Sequence, residues 1–512
     1  NNTAVGLNSL GANTTAAQNT AVGACALAST TTGGCNTGVG YLSLNTNTEG
    51  TSNVAVGRGT LQLNTTGASN VAVGRQALNN NTTGDGNTAS GYYALNDNTT
   101  ADNNTASGYY ALEKNTTGSE NVAVGSLALD ANTTGDNNVA VGKSALTTNT
   151  TGANNVGVGK NSLELNTTGA GNIALGRDSL KKNTTADDNV ALGYTALCSN
   201  TTASDNTAIG NYSLRANTTG SKNTAVGLNS LNANTTGTQN TVLGLEAMNY
   251  GTTGSYNVAL GACTLGASDV NTGNDNVAIG RKSMFDNTSG ASNTAVGGSA
   301  AANNTTGTCN TAVGNSSMHN NTTGSNNVTV GGSAGCAITT GNNNIAIGKN
   351  GASWGGGQLL TTGSENVYIG YATALAASDN FASMVISASG SGAVGKGSNT
   401  GFIRGGTGGI YQGNNSSSWS TTSDKRIKKN IVDNTTGLDK INQIKVKNFE
   451  YRTEDEITDF ENPKAAVVDK EGLQLGVIAQ EIELILPDVV KEESTGVKTV
   501  DPGNLTWYMI NA

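Results

Sequence analysis

A parallel β-solenoid of short stacked rungs over residues 1–379, followed by a small α+β unit, is the fold class that three observations predict. The segment NVAVGRGTLQLNTTGAS from Asn53 is followed by NVAVGRQALNNNTTGDG from Asn70, and this frame runs with an unbroken step of 17 from Asn2 to Asn257. The composition is far from that of an ordinary globular chain, with 70 Gly, 3 Pro and 12% charged residues in 512. That composition also changes abruptly near residue 420: all three prolines and 29 of the 63 charged side chains fall in the last 90 residues. A fixed period of this length is the signature of a repeat architecture, so the repeat is read before any single motif.

Each unit opens on N-[TV]-A-[VIL]-G, with branched apolar residues at positions 2 and 4 around a small Ala. This is the period-2 pattern of a short strand with one buried face. Position 9, nearly always Leu or Met, is an apolar plug. The NTTG stretch at positions 12 to 15 reads as a corner, because Asn and Gly tolerate positive φ and Thr hydroxyls bond the local backbone. Later steps lengthen to 19 at Asn257 and 22 at Asn344, and the last of 22 starts is Asn366.

One rung buries only about four apolar side chains and cannot offset its own ordering entropy, so it must stack on copies of itself. Twenty-two rungs at about 4.7 Å give a shaft on the order of 100 Å long. Asn at positions 1 and 12 then forms amide ladders from rung to rung. A helical reading fails, since Gly, Asn, Thr and Val are weak helix formers and no 3.6-residue period occurs.

The N-V-A-V-G and N-I-A-I-G segments (the latter Asn344 to Gly348) resemble the head repeats of trimeric autotransporter adhesins over the first five residues of each unit. That resemblance implies rods packed three abreast, and a homotrimer is the expected state of residues 1–379.

Departures from the repeat are candidate sites. SGYYAL occurs in two successive rungs and sets Tyr92, Tyr93, Tyr109 and Tyr110 on adjacent levels, either as a cross-rung aromatic ladder or as a surface that contacts glycan faces. Trp354, in the insertion GASWGGGQLL, is a second glycan-contact candidate. The only histidine, His319, reads as a solvated side chain, and one histidine makes no metal site. The six cysteines have no CxxC spacing and read as free thiols. N-x-T acceptor sequences recur in nearly every rung, where turn chemistry accounts for them without a glycan. No cofactor-binding pattern is present.

The net charge of −9 includes no basic stripe, so nucleic acid is not an expected partner. No apolar run reaches membrane-spanning length, so no membrane insertion is expected. The opening NNTAVG starts inside a repeat without Met or signal peptide, as expected for part of a longer protein.

Residues 380–422 are rich in Gly and Ser and read as a connector. Over 423–512 the texture is globular. GLDKINQIKV (437–446) and QEIELIL (480–486) have helical spacing, VKNFEYR (446–452) alternates as a strand, and LQLGVIA (473–479) reads as a buried strand. The run Ser423 to Ile431 (SDKRIKKNI), then Gly476 to Glu481 (GVIAQE), Leu486 to Val490 (LPDVV) and Val500-Asp501 resemble the intramolecular chaperone domain of phage endosialidases and other tail spikes and fibres.

That resemblance implies a C-terminal trimerisation domain, truncated here before its usual long helices, which templates a β-rich fibre and then cuts itself off. Carried over by position, Ser423 is the nucleophile, Lys428 its general base, and Thr422–Ser423 the scissile bond. A Lys can serve as base where burial or neighbouring cations such as Lys425, Arg426 and Lys429 lower its pKa. No pair of carboxylates on a recognisable scaffold suggests glycoside hydrolysis, so no activity on an external substrate is expected. The expected function is a structural tail fibre for host attachment, located in the virion and assembled in the host cytoplasm. Its expected partners are two further copies, other virion tail proteins, and a host-surface glycan or envelope component. The alternative is a bacterial cell-surface adhesin or filament with the same chaperone tail.

Overall fold

The structure is a computed structural model that describes residues 1–512 except 267–269, 353–358, 375, 389–392, 406–407, 413–418, 422–430, 434–436, 459–466, 469, 494–495 and 512. It divides into two compact units, Asn1–Thr421 and Thr422–Ala512.

The first unit is a β-solenoid. Twenty-two three-residue strands, from β1 (Thr3–Val5) to β22 (Val367–Ile369), pair in parallel, each in register with the strand one repeat later. The step is 17 residues, as from Asn53 to Asn70, except at Val258 to Val277 and Ile345 to Val367, where the strands still pair in register across the longer step. The parallel sheet continues past residue 379, through Met384–Ser387 and Gly401–Gly405, still at the repeat spacing. It ends in an antiparallel hairpin with Gly408–Gln412 and Trp419–Thr421. The backbone period therefore outlasts the sequence signature by two strands.

Bonding between rungs is not confined to the strand. The Leu61 and Leu63 N–H groups donate up to Ala77 and Asn79, while those of Gly74 and Gln76 donate down to Val56 and Arg58. At the corner three successive N–H groups, Thr65, Thr66 and Gly67, converge on the Thr82 carbonyl. Buried backbone must be hydrogen-bonded, and here nearly all of it is bonded to the next copy of itself.

Both asparagine ladders form. At position 12, Asn64 Nδ2 donates to Asn47 Oδ1 and Asn81 Nδ2 to Asn64 Oδ1, each at 2.8 Å. At position 1, the Asn70 N–H donates to Asn53 Oδ1 at 2.9 Å. Asn53 and Asn64 also both donate to the Gly67 carbonyl at 2.9 Å, so two side chains clamp one turn. Where the position-12 column breaks, at Thr30, Gly251 and Ile338, the amide oxygens of Asn13, Asn234 and Asn321 in the preceding rungs are left without a partner. The acceptor-sequence asparagines, such as Asn64, Asn81 and Asn98, are fully buried in this column.

Three expectations need correction. The buried face of the strand is the Ala face: Ala55, Ala72 and Ala89 are inaccessible, while Val54, Val56, Val71 and Val73 point outward and are 36 to 42% exposed. The plug at position 9 accounts for this, because it reaches across the rung and leaves room only for a small residue. A Cβ added at Gly157, a position-3 residue, would lie 3.3 Å from Leu146 Cδ1. Each rung thus buries positions 3, 8 and 9 rather than four large apolar groups. The exceptions compensate: Thr329 at position 3 faces Gly335, and Tyr368 follows a rung whose plug is Ala352.

The second correction is conformational. Positive φ occurs not at the Asn and Gly of NTTG but at positions 5, 7, 9 and 17, with the position-9 plugs near +50°, as in Leu61 (+48°) and Leu78 (+52°). A left-handed leucine costs about 1–2 kcal/mol, which burying its side chain, worth roughly 2 kcal/mol, offsets. The position-15 glycine is favoured by space instead. A Cβ on Gly67 would lie 2.5 Å from Asn64 Oδ1 and 2.6 Å from the Gly84 carbonyl oxygen. Ala takes this place at 16, 101, 186 and 203, so the contact yields to one methyl.

The third concerns His319. It is half-buried, and its Nδ1 bonds the Ser299 carbonyl at 3.2 Å, a link to the rung before that Asn79 and Thr147 make at the same position. Because a carbonyl only accepts, Nδ1 carries the proton.

The second unit contains helices α1 (Leu438–Ile441), α2 (Ala479–Glu483) and α3 (Pro502–Asn511). Two antiparallel strand pairs, Lys447–Phe449 with Gln474–Gly476 and Val490–Glu492 with Lys498–Val500, and 3-10 turns at Glu454–Glu456 and Pro487–Val489 accompany them among the described residues. Its core is Ile482, Leu486 and Val489, with Ile441, Ile444, Val477, Val500, Leu505 and Tyr508 packed around them. The 473–479 stretch, expected as a buried strand, has Leu473 and Leu475 exposed, because its one partner covers only the strand edge. Among the described residues no helix is long and apolar enough to cross a membrane.

Candidate functional site

Thr422, Ser423 and Lys428 lie outside the described residues, as does Trp354. The motifs that follow Ser423 in the chain are described, and each does structural work. In GVIAQE, Gly476 lies against its neighbour's ring: a Cβ there would stand 3.0 Å from Phe449 Cε1, so the ring would have to give by a few tenths of an ångström. Val477 packs on the core, and Ile478 precedes the first turn of α2. Glu481 forms an ion pair with Lys447, tying α2 to the strand that holds Phe449.

In LPDVV, Leu486 and Val489 fill the core and Pro487 opens a single 3-10 turn, its fixed φ suiting a first helical position. The Asp488 carboxylate accepts from the Tyr508 hydroxyl of α3. At the last motif, Asp501 caps α3. Its Oδ1 accepts from the N–H groups of Gly503 (2.9 Å) and Asn504 (3.1 Å), with Pro502 at the first helical position. Its other oxygen meets Lys491 at 3.2 Å. The N–H of Asn504, then the Lys491 ammonium, hold this carboxyl below its usual range. Lys498 pairs with Glu483 at 2.6 Å, and that bond raises its own pKa.

Sequence reasoning did not find the Asp501 cap or the Lys447–Glu481 tie. The cap had a signal, an Asp directly before Pro and a helical run; the tie joins groups far apart in the chain and had none.

In the shaft, Tyr92 stacks on Tyr109 with ring centroids 5.6 Å apart, and Tyr93 on Tyr110 at 5.3 Å. Arg75 lies over the Tyr92 ring at 5.6 Å. The cross-rung ladder is therefore formed, with Tyr109 the most open ring, 53% exposed. The Tyr110 hydroxyl is pushed up to about 12, by desolvation first and by its bond with Tyr109 next. One level on, Glu113 and Asp130 meet across adjacent rungs, and burial raises both carboxyls. Among the described residues no three His, Cys, Asp or Glu side chains group to hold a metal.

Residues 423–491 match the model of the family described as the chaperone of endosialidase. No curated protein matches the chain.

Proposed function

We propose that this chain is a trimeric tail fibre of a phage or related virus, with a long β-solenoid shaft and a C-terminal intramolecular chaperone that cuts itself away before Ser423. The observation that carries this reading is the succession, in one chain, of many near-identical rungs and a segment similar to the endosialidase chaperone. Three such shafts can pair one whole rung out of register with little loss, because each rung resembles its neighbour. A trimeric clamp at one end removes that ambiguity, and its later departure makes unfolding kinetically hard.

In the cleavage step, Ser423 Oγ attacks the carbonyl carbon of Thr422 while Lys428, as the free amine, takes the hydroxyl proton. The Thr422–Ser423 C–N bond breaks, the proton passes to the Ser423 amine, and water hydrolyses the ester that remains. The mature shaft then reaches a host-surface glycan or envelope component through many weak contacts. Tyr92, Tyr93, Tyr109, Tyr110 and Trp354 are its candidate contact residues, and other tail proteins hold it to the particle. A second reading, a bacterial surface adhesin with the same tail, is favoured by the likeness of N-V-A-V-G to adhesin heads. Immunolabelling of purified virions against whole cells separates the two.

The test is a denaturing gel with intact mass of the protein beside Ser423→Ala and Lys428→Ala. The expected outcome is a parent split between Thr422 and Ser423 and two variants that stay whole. A parent that is also whole removes the catalytic roles and leaves a retained clamp.

A further inference from the structure

The strand face that the shaft turns outward is an uncharged, largely apolar stripe, interrupted at the two rungs Thr88–Ser90 and Thr105–Ser107. Position 2 is Val or Ile in 12 of the 22 rungs and Thr in the rest; position 4 is Val, Ile or Leu in 20 and Ser in two. None is charged. High β-propensity accounts for branched residues on an exposed strand, but not for the absence of a single Lys or Glu from 44 outward positions. A stripe two residues wide and 22 rungs long covers on the order of 700 Å². Its apolar share is on the order of 500 Å², at the upper end of the roughly 300–600 Å² of a typical monomer's largest apolar patch, and the whole uncharged stripe approaches the roughly 800 Å² per partner of a standard interface.

The two edges of the stripe carry opposite charge. Two residues beyond each strand, at position 6, Lys or Arg stands in seven of the 22 rungs and an acid in none. Just before each strand, positions 16 and 17 carry nine Asp or Glu and one Lys. All of these acids and all seven bases are exposed. Local structure accounts for part of this. Position-16 aspartates such as Asp85 accept an N–H from the rung before at 2.6 Å, and Arg58, Arg75 and Arg177 lie over tyrosines. Yet Ser204 serves as the same acceptor without charge. Among the described residues Arg177 alone of the seven bases forms an ion pair, with Asp178, and none of the nine acids does.

We infer that this stripe is the face on which copies of the chain pack side by side and in the same direction, the basic edge of each lying along the acidic edge of the next. Rotation about an axis parallel to the shaft brings unlike edges together, whatever the number of copies. Turning one copy end for end brings like edges together, which is repulsive. The charge pattern thus selects parallel over antiparallel packing, and the apolar stripe supplies the attraction. This rests on the trimeric fibre reading and specifies the face and the polarity of its shaft.

The test uses the full chain with Cys25, Cys198, Cys263 and Cys336 replaced by Ser. A spin label is placed at Cys35 or at Cys309, both exposed and 16 strands apart, about 75 Å. Mass by light scattering and label-to-label distance are then measured. Parallel packing gives a mass of three chains and distances of a few tens of ångström at each site alone. It also predicts that Lys143→Glu, Lys160→Glu, Arg281→Glu and Lys349→Glu together lower the dissociation temperature. Adding Glu120→Lys, Asp188→Lys, Asp205→Lys and Asp275→Lys restores it. A mass of three chains with no measurable distance at either site, or with no restoration, overturns this inference and leaves the fibre reading standing. A mass of one chain overturns both.

Discussion

The shaft and the C-terminal unit are held together in opposite ways. In Asn1–Thr421 one interface is repeated some 22 times, with a continuous column of Ala and Leu flanked by two ladders of buried Asn. Among the described residues of Thr422–Ala512 no contact is repeated. Three buried residues form the centre, and single ties such as Lys447–Glu481 and the Asp501 cap hold the rest. Leu473, Leu475, Leu484, Trp507 and Ile510 are each more than two-thirds exposed. A repeated interface gains stability with every copy, whereas a small unit with a core this thin is marginal alone. The difference is what the proposed division into a lasting shaft and a removable chaperone requires.

That contrast breaks most sharply at single apolar residues. Leu129→Ala empties part of the column and lowers local stability by about 3 kcal/mol, read as faster amide exchange in the rungs on both sides. Leu475→Ala in the tail, at an exposed site, changes the tail's melting by under about 0.5 kcal/mol. Equal effects would mean that the two cores are alike after all.

Next in size is the polar interior. Asn132→Ala removes bonds to Asn115 Oδ1 and the Gly135 carbonyl and orphans Asn149 Nδ2 on that side. The expected loss is about 2–3 kcal/mol, again confined by exchange to neighbouring rungs. In the tail, Asp501→Ala removes the cap of α3, a smaller loss visible as reduced helical dichroism.

Acid sharpens the comparison by its sign. Asp501 has a depressed pKa, so its contribution is present above its unfolded value near 4 and is lost as pH falls below that. Glu113 and Asp130 have raised pKa values, so the folded rungs bind protons more tightly than the unfolded chain does. Their rungs become more stable as pH falls from above the folded values toward the ordinary carboxylate range. Lowering pH from 6 to 4 should slow exchange around Asp130 and leave the Asp501 cap in place, a further drop to pH 2 should speed exchange at Asp501, and Glu113→Gln with Asp130→Asn should abolish the shaft's response.

The smallest effect is a gain. Thr30→Asn fills a gap in the position-12 column, giving the orphaned Asn13 oxygen a donor and stabilising the first rungs by about 1 kcal/mol. A loss there would mean that the column does not continue through Thr30.

What was legible in the sequence follows the same division. Period, insertions and both Asn ladders were legible because each is written many times over. The direction of the strand face was not, since V-A-V is apolar on both sides and only the depth of the Leu plug decides which side is enclosed. The left-handed backbone at Leu61 and its equivalents carries no glycine to announce it; stacking imposes it. In the tail, GLDKINQIKV was helical for only four residues, because short helices there depend on a few distant contacts. The Ser423 and Lys428 roles rest on resemblance alone, since five residues of separation say nothing about whether two side chains meet.

The rung-to-rung bonds of the backbone and of the two asparagine columns have a mechanical consequence. They run along the shaft, so a pull on its ends loads every bond of one rung interface at once rather than one after another. A rung that does give way releases about 60 Å of extended chain in place of the about 5 Å that it occupied. Under tension the shaft is a stiff tether with roughly tenfold its own length held in reserve, released one rung at a time.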